Sequence, residues 1–318
     1  MMPRFHRYEH VIQRDIAMEN HGIAPPGFRL PDEAHVGRVR LQVSNLARSQ
    51  RYYETVVGLT EVSRSEGSVV LGAAGNERPF VELHERAGAR PVPRRGLLGL
   101  YHFAILLPDR ASLGRFAAHL AEMGVYAGMS DHFVSEAIYL SDPDGLGIEV
   151  YADRPRSEWK FEQDQLYMTT KPLDVDDLVT AAGGERWSGV PKGTRIGHVH
   201  LYVGDIDQAA RFYHEGVGLD KIVWTYPGAL FLSAGGYHHH LGVNTWAAGA
   251  PPAGDDDAKL IDWELALPDE QSVNAAAESI ERVGTAVERN DGEARASDPW
   301  GTTLRMSCVA PAFNNGLS

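Results

Sequence analysis

Three consecutive histidines interrupt an apolar run in the second half of the chain. The stretch SAGGYHHHLGVNTW, residues 233–246, carries His238, His239 and His240. Imidazole changes charge near neutral pH and, when neutral, binds transition metals through a ring nitrogen. The run is otherwise typical of a strand, in which alternation places His239 on the face opposite His238 and His240. We therefore expect one set to face a reactive site and the other to pack or to reach solvent.

These histidines belong to a repeated pattern that must position them. Residues 36–59, VGRVRLQVSNLARSQRYYETVVGL, align with residues 196–219, IGHVHLYVGDIDQAARFYHEGVGL, and residues 100–125 align in the same way with residues 260–285. Each unit opens with alternating apolar residues, continues with an amphipathic helix and ends in short β-prone runs separated by glycines. The pattern predicts an α+β chain of four βαβββ units, near residues 36–86, 98–153, 194–247 and 258–310.

The repeats also divide the chain into segments. Units one and two occupy residues 36–153, and units three and four occupy residues 194–310. Residues 154–193 are polar, contain Pro172 and Pro191, and predict a linker with one short helix at DVDDLVTAAG. Residues 1–35 form an N-terminal extension and residues 311–318 a tail.

Composition restricts the classes of partner and compartment. The net charge is −13 and no long basic run occurs, which argues against binding to nucleic acid. No apolar stretch approaches the length of about 18 residues that a transmembrane helix needs. The N-terminal residues lack the apolar core of a secretory signal. Cys308 is the single cysteine, so an intramolecular disulfide is excluded and we expect a cytoplasmic protein.

The units resemble the βαβββ modules of the vicinal oxygen chelate superfamily. The resemblance rests on GLYHFAILLPDR, SEAIYLSDPDGLGIEVYADRPRSEW, IGHVHL and SAGGYHHHLGVN, and it covers nearly everything after residue 35. Four modules in one chain resemble the extradiol ring-cleaving dioxygenases of the catechol 2,3-dioxygenase type. The resemblance implies two half-open β-barrels, a non-haem Fe(II) centre, and insertion of O2 into a catechol to give a hydroxymuconic semialdehyde-type product.

The superfamily takes its metal ligands from the first and last strands of two paired modules. The first-strand position lies seven residues before the Asn or Asp of the strand-to-helix turn, and in chain order it holds Arg38, His102, His198 and Asp262. The last-strand position lies eight residues after the Ser of S-D-P, and it holds Glu149 in unit two and Arg305 in unit four. Unit one offers Glu82, and unit three offers no carboxylate.

These positions decide between two ways of pairing the units. Pairing of neighbours in sequence would put Arg38 beside His102, and a guanidinium neither ligates nor tolerates a nearby cation. Pairing of unit two with unit three brings His102, His198 and Glu149 together, and two imidazoles with one carboxylate are the ligands of non-haem Fe(II) oxygenases. We therefore predict an iron site between units two and three, which also suits Mn(II), and a metal-free barrel from units one and four.

The resemblance also implies roles for residues around the metal. The second histidine of the run, His239, corresponds to the acid/base residue, and Tyr139, ten residues before Glu149, corresponds to a tyrosine of the substrate pocket. His200 shares the inward face of its strand with His198. The candidate substrate contacts are His132, His200, His240 and Trp246.

Two other functions share the same modules. Glyoxalase-type isomerases take a carboxylate or Gln from the last strand of both paired modules, but the HLGVNT run of unit three has no carboxylate. Metal-free binding proteins of the bleomycin-resistance type are normally two modules long and lack the three ligands. The sequence favours the dioxygenase, with a catechol and O2 as its small-molecule partners and with strand edges that offer a surface for a homo-oligomer.

Overall fold

The computed structural model describes residues 21–76, 78–93 and 96–308. Unit one contains β1 (His35–Val43), α1 (Leu46–Tyr52), β2 (Thr60–Ser65), β3 (Ser68–Gly72) and β4 (Val81–Glu85). Unit two contains β5 (Gly99–Leu106), α2 (Arg110–Met123), β6 (Gly128–Asp131), β7 (Ser135–Ser141) and β8 (Gly147–Asp153). The connector contains β9 (Phe161–Glu162), β10 (Gln165–Leu166), β11 (Lys171–Pro172) and α3 (Val175–Ala181).

The second half repeats the order of the first. Unit three contains β12 (Arg195–Tyr202), α4 (Ile206–Ala210), β13 (Asp220–Val223), β14 (Ala229–Ser233) and β15 (Leu241–Asn244). Unit four contains β16 (Lys259–Leu267), α5 (Glu270–Arg282), β17 (Glu288–Asn290), β18 (Glu293–Ser297) and β19 (Thr303–Cys308). A π-helical turn extends α1 through Tyr53–Val57 and α4 through Arg211–Gly216. The prediction of four βαβββ units is confirmed.

A side-chain cap starts the helix of every unit. The capping oxygen accepts a hydrogen bond from the backbone N–H three residues later, and the caps are Asn45, Asp109, Asp205 and Asp269. An Asn or Asp at this position is worth about 0.5–2 kcal/mol over Ala. Because each cap lies two or three residues after the end of the first strand, the helix begins at a similar point after that strand in all four units.

The four units are distributed over two large sheets, and the units that share a sheet are not consecutive in the chain. Their strand orders are β11-β6-β7-β8-β5-β12-β15-β14-β13 and β17-β18-β19-β16-β1-β4-β3-β2. Units two and three thus share one sheet through the antiparallel pair of β5 and β12, and units one and four share the other through β1 and β16. Within each unit the first and last strands pair in parallel. The predicted pairing of unit two with unit three is confirmed.

Hydrogen bonds between units that follow each other in the chain connect the two sheets. The hydroxyl of Tyr53, in unit one, donates to Oδ2 of Asp142, in unit two, at 3.3 Å. The hydroxyl of Tyr213, in unit three, donates to Oδ2 of Asp298, in unit four, at 3.0 Å. Apolar side chains from both sheets form one continuous buried cluster around these bonds. Units that follow each other in the chain therefore contact each other between the two sheets. Units two and three, which contain the predicted metal ligands, instead lie side by side in one sheet.

The connector is more structured than a linker. The predicted helix is present as α3, and β11 pairs with β6 at the edge of the nine-stranded sheet. None of the helices in the described part of the chain has the length and hydrophobicity that crossing a bilayer requires. The predicted extension falls largely outside the described residues, which begin at His21, and so does the predicted tail.

The strand predicted through the three histidines is wrong. Strand β14 ends at Ser233 and β15 begins only at Leu241. Gly235 and Gly236 have φ values of 58° and 64°, the left-handed region that favours glycine, so the chain turns here. The histidines lie in this turn and lead into the strand.

Candidate metal centre

Three adjacent strands bring two histidines and one glutamate together. His102 lies on β5, His198 on β12 and Glu149 on β8, and β5 is hydrogen-bonded to both of the other strands. One ligand atom from each residue lies within 4.8 Å of the other two. His102 Nε2 is 3.0 Å and His198 Nε2 is 3.2 Å from Oε2 of Glu149. The sheet therefore assembles the three residues that the sequence predicted as ligands.

Close backbone packing allows this approach. A Cβ on Gly147, at the start of β8, would overlap the carbonyl oxygen of Tyr101 on β5. The glycine lets the two strands pair in parallel with Glu149 opposite Ala104. The carboxylate consequently lies beside His102, although the two residues are far apart in the chain.

The centre contains buried nitrogen atoms without hydrogen-bond partners. His102 Nε2 makes no hydrogen bond despite its short distance to Glu149, and neither Nδ1 of His102 nor Nδ1 of His198 has a partner in the described part of the chain. Nearly all buried polar groups in proteins are hydrogen-bonded, so unpaired ones need an explanation. Of these atoms, His102 Nε2 points at the Glu149 carboxylate, and a divalent transition metal bound between them would satisfy it.

The protonation states suit the same interpretation. Burial lowers the pKa of the His198 imidazole to about 4, although the neighbouring Glu149 opposes this shift. Burial also raises the pKa of the Glu149 carboxyl, but the electrostatic attraction of His198 and His102 outweighs burial and holds that pKa well below its usual range. Neutral imidazole and ionised carboxylate are the forms that bind a metal.

A cavity of about 280 Å³ opens onto these three residues. Its wall includes all of the predicted site residues except one: His102, His132, Tyr139, Glu149, His198, His200, His239 and Trp246. Trp246 is 51% exposed and lies at the mouth, whereas the three metal-ligand candidates are buried. The centre is therefore open on the side from which a small molecule would enter.

Tyr139 and His132 form a hydrogen-bonded pair in the wall. His132 Nδ1 donates to the carbonyl oxygen of Thr169 at 2.8 Å, so its Nε2 accepts the hydrogen bond from the Tyr139 hydroxyl at 2.7 Å. Burial and the negative charge of Glu149 raise the pKa of Tyr139 well above its usual value. The phenol therefore keeps its proton and presents a neutral oxygen to the cavity.

His200 is held by a different partner. The Asn244 side-chain amide donates to His200 Nε2 at 3.0 Å, and burial lowers the pKa of the imidazole well below its usual value. The ring stands beside His102, with 5.1 Å between the ring centroids. A neutral imidazole fixed in this way forms part of the cavity wall, where it can contact a ligand through its ring and one polar edge.

The three consecutive histidines point in different directions. His239 lines the cavity and its ring centroid lies 4.0 Å from that of His198. His238 is fully buried behind it and contacts Asp153. His240 turns away, because its Nδ1 accepts the backbone N–H of Ala234 at 3.2 Å. The prediction of His240 as a substrate contact is wrong for this reason, since it does not line the cavity.

Most of the other wall residues had no signal in the sequence. Met168, Thr169 and Thr170 belong to the connector, whose polar composition predicted only a linker. Tyr101 also lines the cavity, although strand alternation puts it opposite His102. Tyr226 and Phe231 also line the wall, and the aromatic residues of unit three do indicate a pocket in the sequence. The pairing of β11 with β6 brings the connector to the site.

The equivalent positions of units one and four hold ion pairs. Arg38 pairs with Glu82 at 2.7 Å, Arg40 pairs with Asp262, and Arg305 pairs with Glu264 at 3.3 Å. In the described part of the chain, the group formed by His102, Glu149 and His198 is the one cluster with the spacing of a metal site. Guanidinium groups thus neutralise the carboxylates of the second barrel.

Comparisons with known proteins agree with this architecture. The sequence profile of the glyoxalase/bleomycin resistance protein/dioxygenase superfamily matches residues 35–150 and 195–302. A Bacillus subtilis (strain 168) protein named catechol-2,3-dioxygenase is 43% identical over 272 residues, which cover 84% of this chain and 95% of that protein. Among solved structures, a Bacillus subtilis protein superposes with a TM-score of 0.61 at 14% identity, covering 91% of this chain and 88% of its own. Glyoxalase I from Zea mays superposes with a TM-score of 0.52 at 17% identity, covering 86% and 92%.

Proposed function

Because the chain belongs to the glyoxalase/bleomycin resistance protein/dioxygenase superfamily, we propose that it is an extradiol dioxygenase that inserts O2 into the ring of a catechol. The product would be a hydroxymuconic semialdehyde-type compound. The observation that carries the proposal is the buried group of His102, His198 and Glu149 at the floor of a cavity that also contains His239. The name of the 43% identical relative supports the same reaction.

We propose Fe(II) as the metal that these three side chains hold. Bound Fe(II) would supply a place where catechol and O2 meet and would carry electrons between them. Three protein ligands on one side leave room for both partners, which a fourth protein ligand would obstruct. Mn(II) has the same ligand preference, so metal analysis has to distinguish the two.

His239 and Tyr139 supply the proton chemistry of the proposal. His239 accepts a proton from a substrate hydroxyl and later returns it, and burial lowers its pKa well below the usual value, so the ring begins neutral. The Tyr139 hydroxyl accepts a hydrogen bond from substrate, or turns its O–H from His132 to a catecholate oxygen. Both side chains border the same cavity and can reach one bound molecule.

The cavity wall favours an uncharged substrate. It contains aromatic and thioether side chains, among them Met168, Tyr226 and Phe231, and no Lys or Arg among its described residues. A carboxylate substituent would enter without a cationic partner, which costs desolvation energy. We therefore propose catechol itself or a catechol with an apolar substituent.

The glyoxalase-type isomerase and the metal-free binding protein fit less well. The isomerase shares the fold, but Gly242 occupies the position where a carboxylate of unit three would complete its ligand set. A metal-free binding protein would leave the buried Nε2 atom of His102 without a partner. The cytoplasmic location and the homo-oligomer stay predictions.

Reconstitution with metals tests the function. The metal-free protein is loaded with Fe(II), Mn(II), Ni(II) or Zn(II), and O2 uptake is followed with catechol, 4-methylcatechol and 3,4-dihydroxybenzoate. We expect uptake with a yellow product for the two uncharged catechols and much less for the carboxylate. Isomerisation of a hemithioacetal by the Ni(II) or Zn(II) protein, without O2 uptake by the Fe(II) or Mn(II) protein, would overturn the proposal.

A further inference from the structure

A chain of hydrogen bonds leads from His239 to a carboxylate outside the cavity. His239 Nδ1 lies 2.8 Å from His238 Nδ1, and His238 Nε2 lies 2.9 Å from Oδ1 of Asp153. Oδ2 of Asp153 also accepts the hydroxyl of Tyr237 at 3.0 Å. His238 is fully buried, whereas the Asp153 side chain is 27% exposed and stands at the end of β8.

The Asp153 carboxylate, at the end of this chain of hydrogen bonds, determines the direction of each bond. A carboxylate accepts and cannot donate, so Nε2 of His238 carries the proton of the bond to Asp153. In a neutral ring the other nitrogen is then an acceptor, so His238 Nδ1 accepts from His239 Nδ1. With its proton on Nδ1, the His239 ring has a bare lone pair on Nε2. Nε2 is the nitrogen left for the cavity.

We propose that Asp153 and His238 are positioning residues that set the tautomer of His239, so that its Nε2 can take a proton from bound substrate. In that step the substrate O–H bond breaks, an N–H bond forms at Nε2, and no electron leaves either partner. The transfer of this proton from substrate rests on the proposed function, whereas the tautomer of His239 does not depend on that function.

The same strand therefore serves two purposes. Glu149, in the middle of β8, faces the candidate metal, and Asp153, four residues later, orients the acid/base histidine through His238. The turn between β14 and β15 is what brings His238 and His239 to this strand end. A carboxylate that orients a histidine through one hydrogen bond is a known device for fixing a tautomer. Here the orientation passes through a second imidazole.

The test compares Asp153→Asn with Asp153→Glu and with a matched change elsewhere. An Asn amide can donate to His238 Nε2, which reverses both bonds and puts the proton of His239 on Nε2. Asp153→Glu keeps an acceptor and should restore the wild-type state. Asp269→Asn is the control, because it makes the same chemical change at the start of α5, where Asn caps equally well.

The first readout is the tautomer itself. ¹⁵N NMR of the full-length protein loaded with diamagnetic Zn(II) reports which ring nitrogen carries hydrogen, and the signals missing from His239→Gln identify the ring. We expect Nδ1–H in the wild type, Asp153→Glu and Asp269→Asn, and a substantial Nε2–H population in Asp153→Asn. A wild-type His239 protonated on Nε2, or no change in Asp153→Asn, would overturn the proposal.

The second readout is kinetic. For Asp153→Asn we expect kcat to fall about 10- to 100-fold, as for other residues that orient a catalytic ligand, with KM, metal content and thermal stability unchanged. A loss that follows melting temperature, or that Asp153→Glu does not restore, would assign Asp153 a merely structural role. If the wild type oxidises no catechol, the proposed function fails, and the NMR result still decides the tautomer.

Discussion

Gly242 lies opposite His200 in the parallel pair of β12 and β15, at the position that Glu149 takes opposite Ala104 in the pair of β5 and β8. A Cβ on Gly242 would lie 2.9 Å from two atoms of the His200 ring. The glycine thus supplies no fourth ligand and leaves space for an imidazole that lines the cavity. At this position unit two therefore supplies a carboxylate beside a small residue, whereas unit three supplies an imidazole beside a glycine.

Gly242→Ala tests this arrangement. The added methyl group should push the His200 ring toward the cavity, and a shift of about 1 Å can cost up to about 100-fold in turnover. We expect kcat/KM for catechol to fall about tenfold or more, with the iron content unchanged. Gly249→Ala is the matched control, because a Cβ there meets nothing within 4 Å. Equal kinetics for the two variants would contradict the packing argument.

Replacing any one of His102, His198 or Glu149 with Ala should abolish stoichiometric metal binding. Each residue supplies one of three converging ligand atoms, and no other cluster in the described residues has the spacing to substitute. Elemental analysis after loading and the shift in melting temperature on adding Fe(II) measure the loss. His119→Ala, a histidine on α2 outside the cavity, should bind and shift like the wild type. Full metal occupancy in all three variants would remove the assignment.

His239→Ala should keep the metal but lose turnover. A positioned acid/base residue contributes about 10²- to 10⁴-fold, and the ligand set is untouched. Single-turnover O2 uptake with catechol, normalised to bound iron, measures the effect. His240→Ala changes the adjacent histidine, which faces away from the cavity, and should stay within a few-fold of wild type. The reverse order of effects would assign the acid/base role to His240.

Asp262→Ala should affect stability and not chemistry. Asp262 is 2% exposed and faces Arg40 and Arg305 in the second barrel. Removal of one partner of a fully buried pair costs about 3–5 kcal/mol in the free energy of unfolding. We expect a smaller loss here, because Arg40 is 22% exposed and Arg305 keeps Glu264 and Glu293 as partners. Chemical denaturation and iron content are the measurements, and Asp255→Ala, in an exposed pair, is the control. Loss of iron with unchanged stability would instead indicate a second metal site.

Asp142→Asn should change how stability depends on pH. Burial raises the pKa of this carboxyl to about 7, above its unfolded value of about 3.9. The folded protein therefore holds a proton that the unfolded chain has lost, and Asp142 lowers the free energy of unfolding as pH rises from about 4 to about 7. The neutral Asn keeps an oxygen for the backbone N–H groups of Asp144 and Leu146.

The measurement is urea unfolding at pH 5 and pH 8. We expect Asp142→Asn to gain stability relative to the wild type between these two values, by on the order of 1–4 kcal/mol at 1.36 kcal/mol per pKa unit. Asp205→Asn, which changes a partly exposed helix cap, should follow the wild-type profile. Parallel profiles for wild type and Asp142→Asn would show that the carboxyl is ionised throughout.

Much of this site could be predicted because its determinants are local or repeated. Alternating apolar residues and an Asn or Asp cap recur in every unit, so equivalent positions could be compared before any contact was known. Charge then excluded the sequential pairing, since Arg38 would lie beside His102. The antiparallel pair of β5 and β12 is the arrangement that this comparison predicted.

The turn that carries the three histidines could not be predicted in this way. The apolar residues around His238 and His240 suggested a strand, but two glycines with positive φ place the run before β15. Strand alternation correctly predicted that His239 points in a different direction from His238 and His240. The cause is the turn, however, and not a strand. The prediction of His240 as a substrate contact failed because its hydrogen-bond partner, the backbone N–H of Ala234, comes near it only when the turn has formed.

The amino-acid sequence by itself determined the four units, the candidate ligands and the likeness to dioxygenases, because periodicity, capping and residue chemistry are written along the chain. Tertiary structure alone decided that connector residues such as Thr169 reach the cavity and that Asp153 meets His238. These contacts join residues as far as 85 positions apart, and they depend on how strand ends and turns pack. No local pattern encodes such distances, since they arise only when the two sheets have formed.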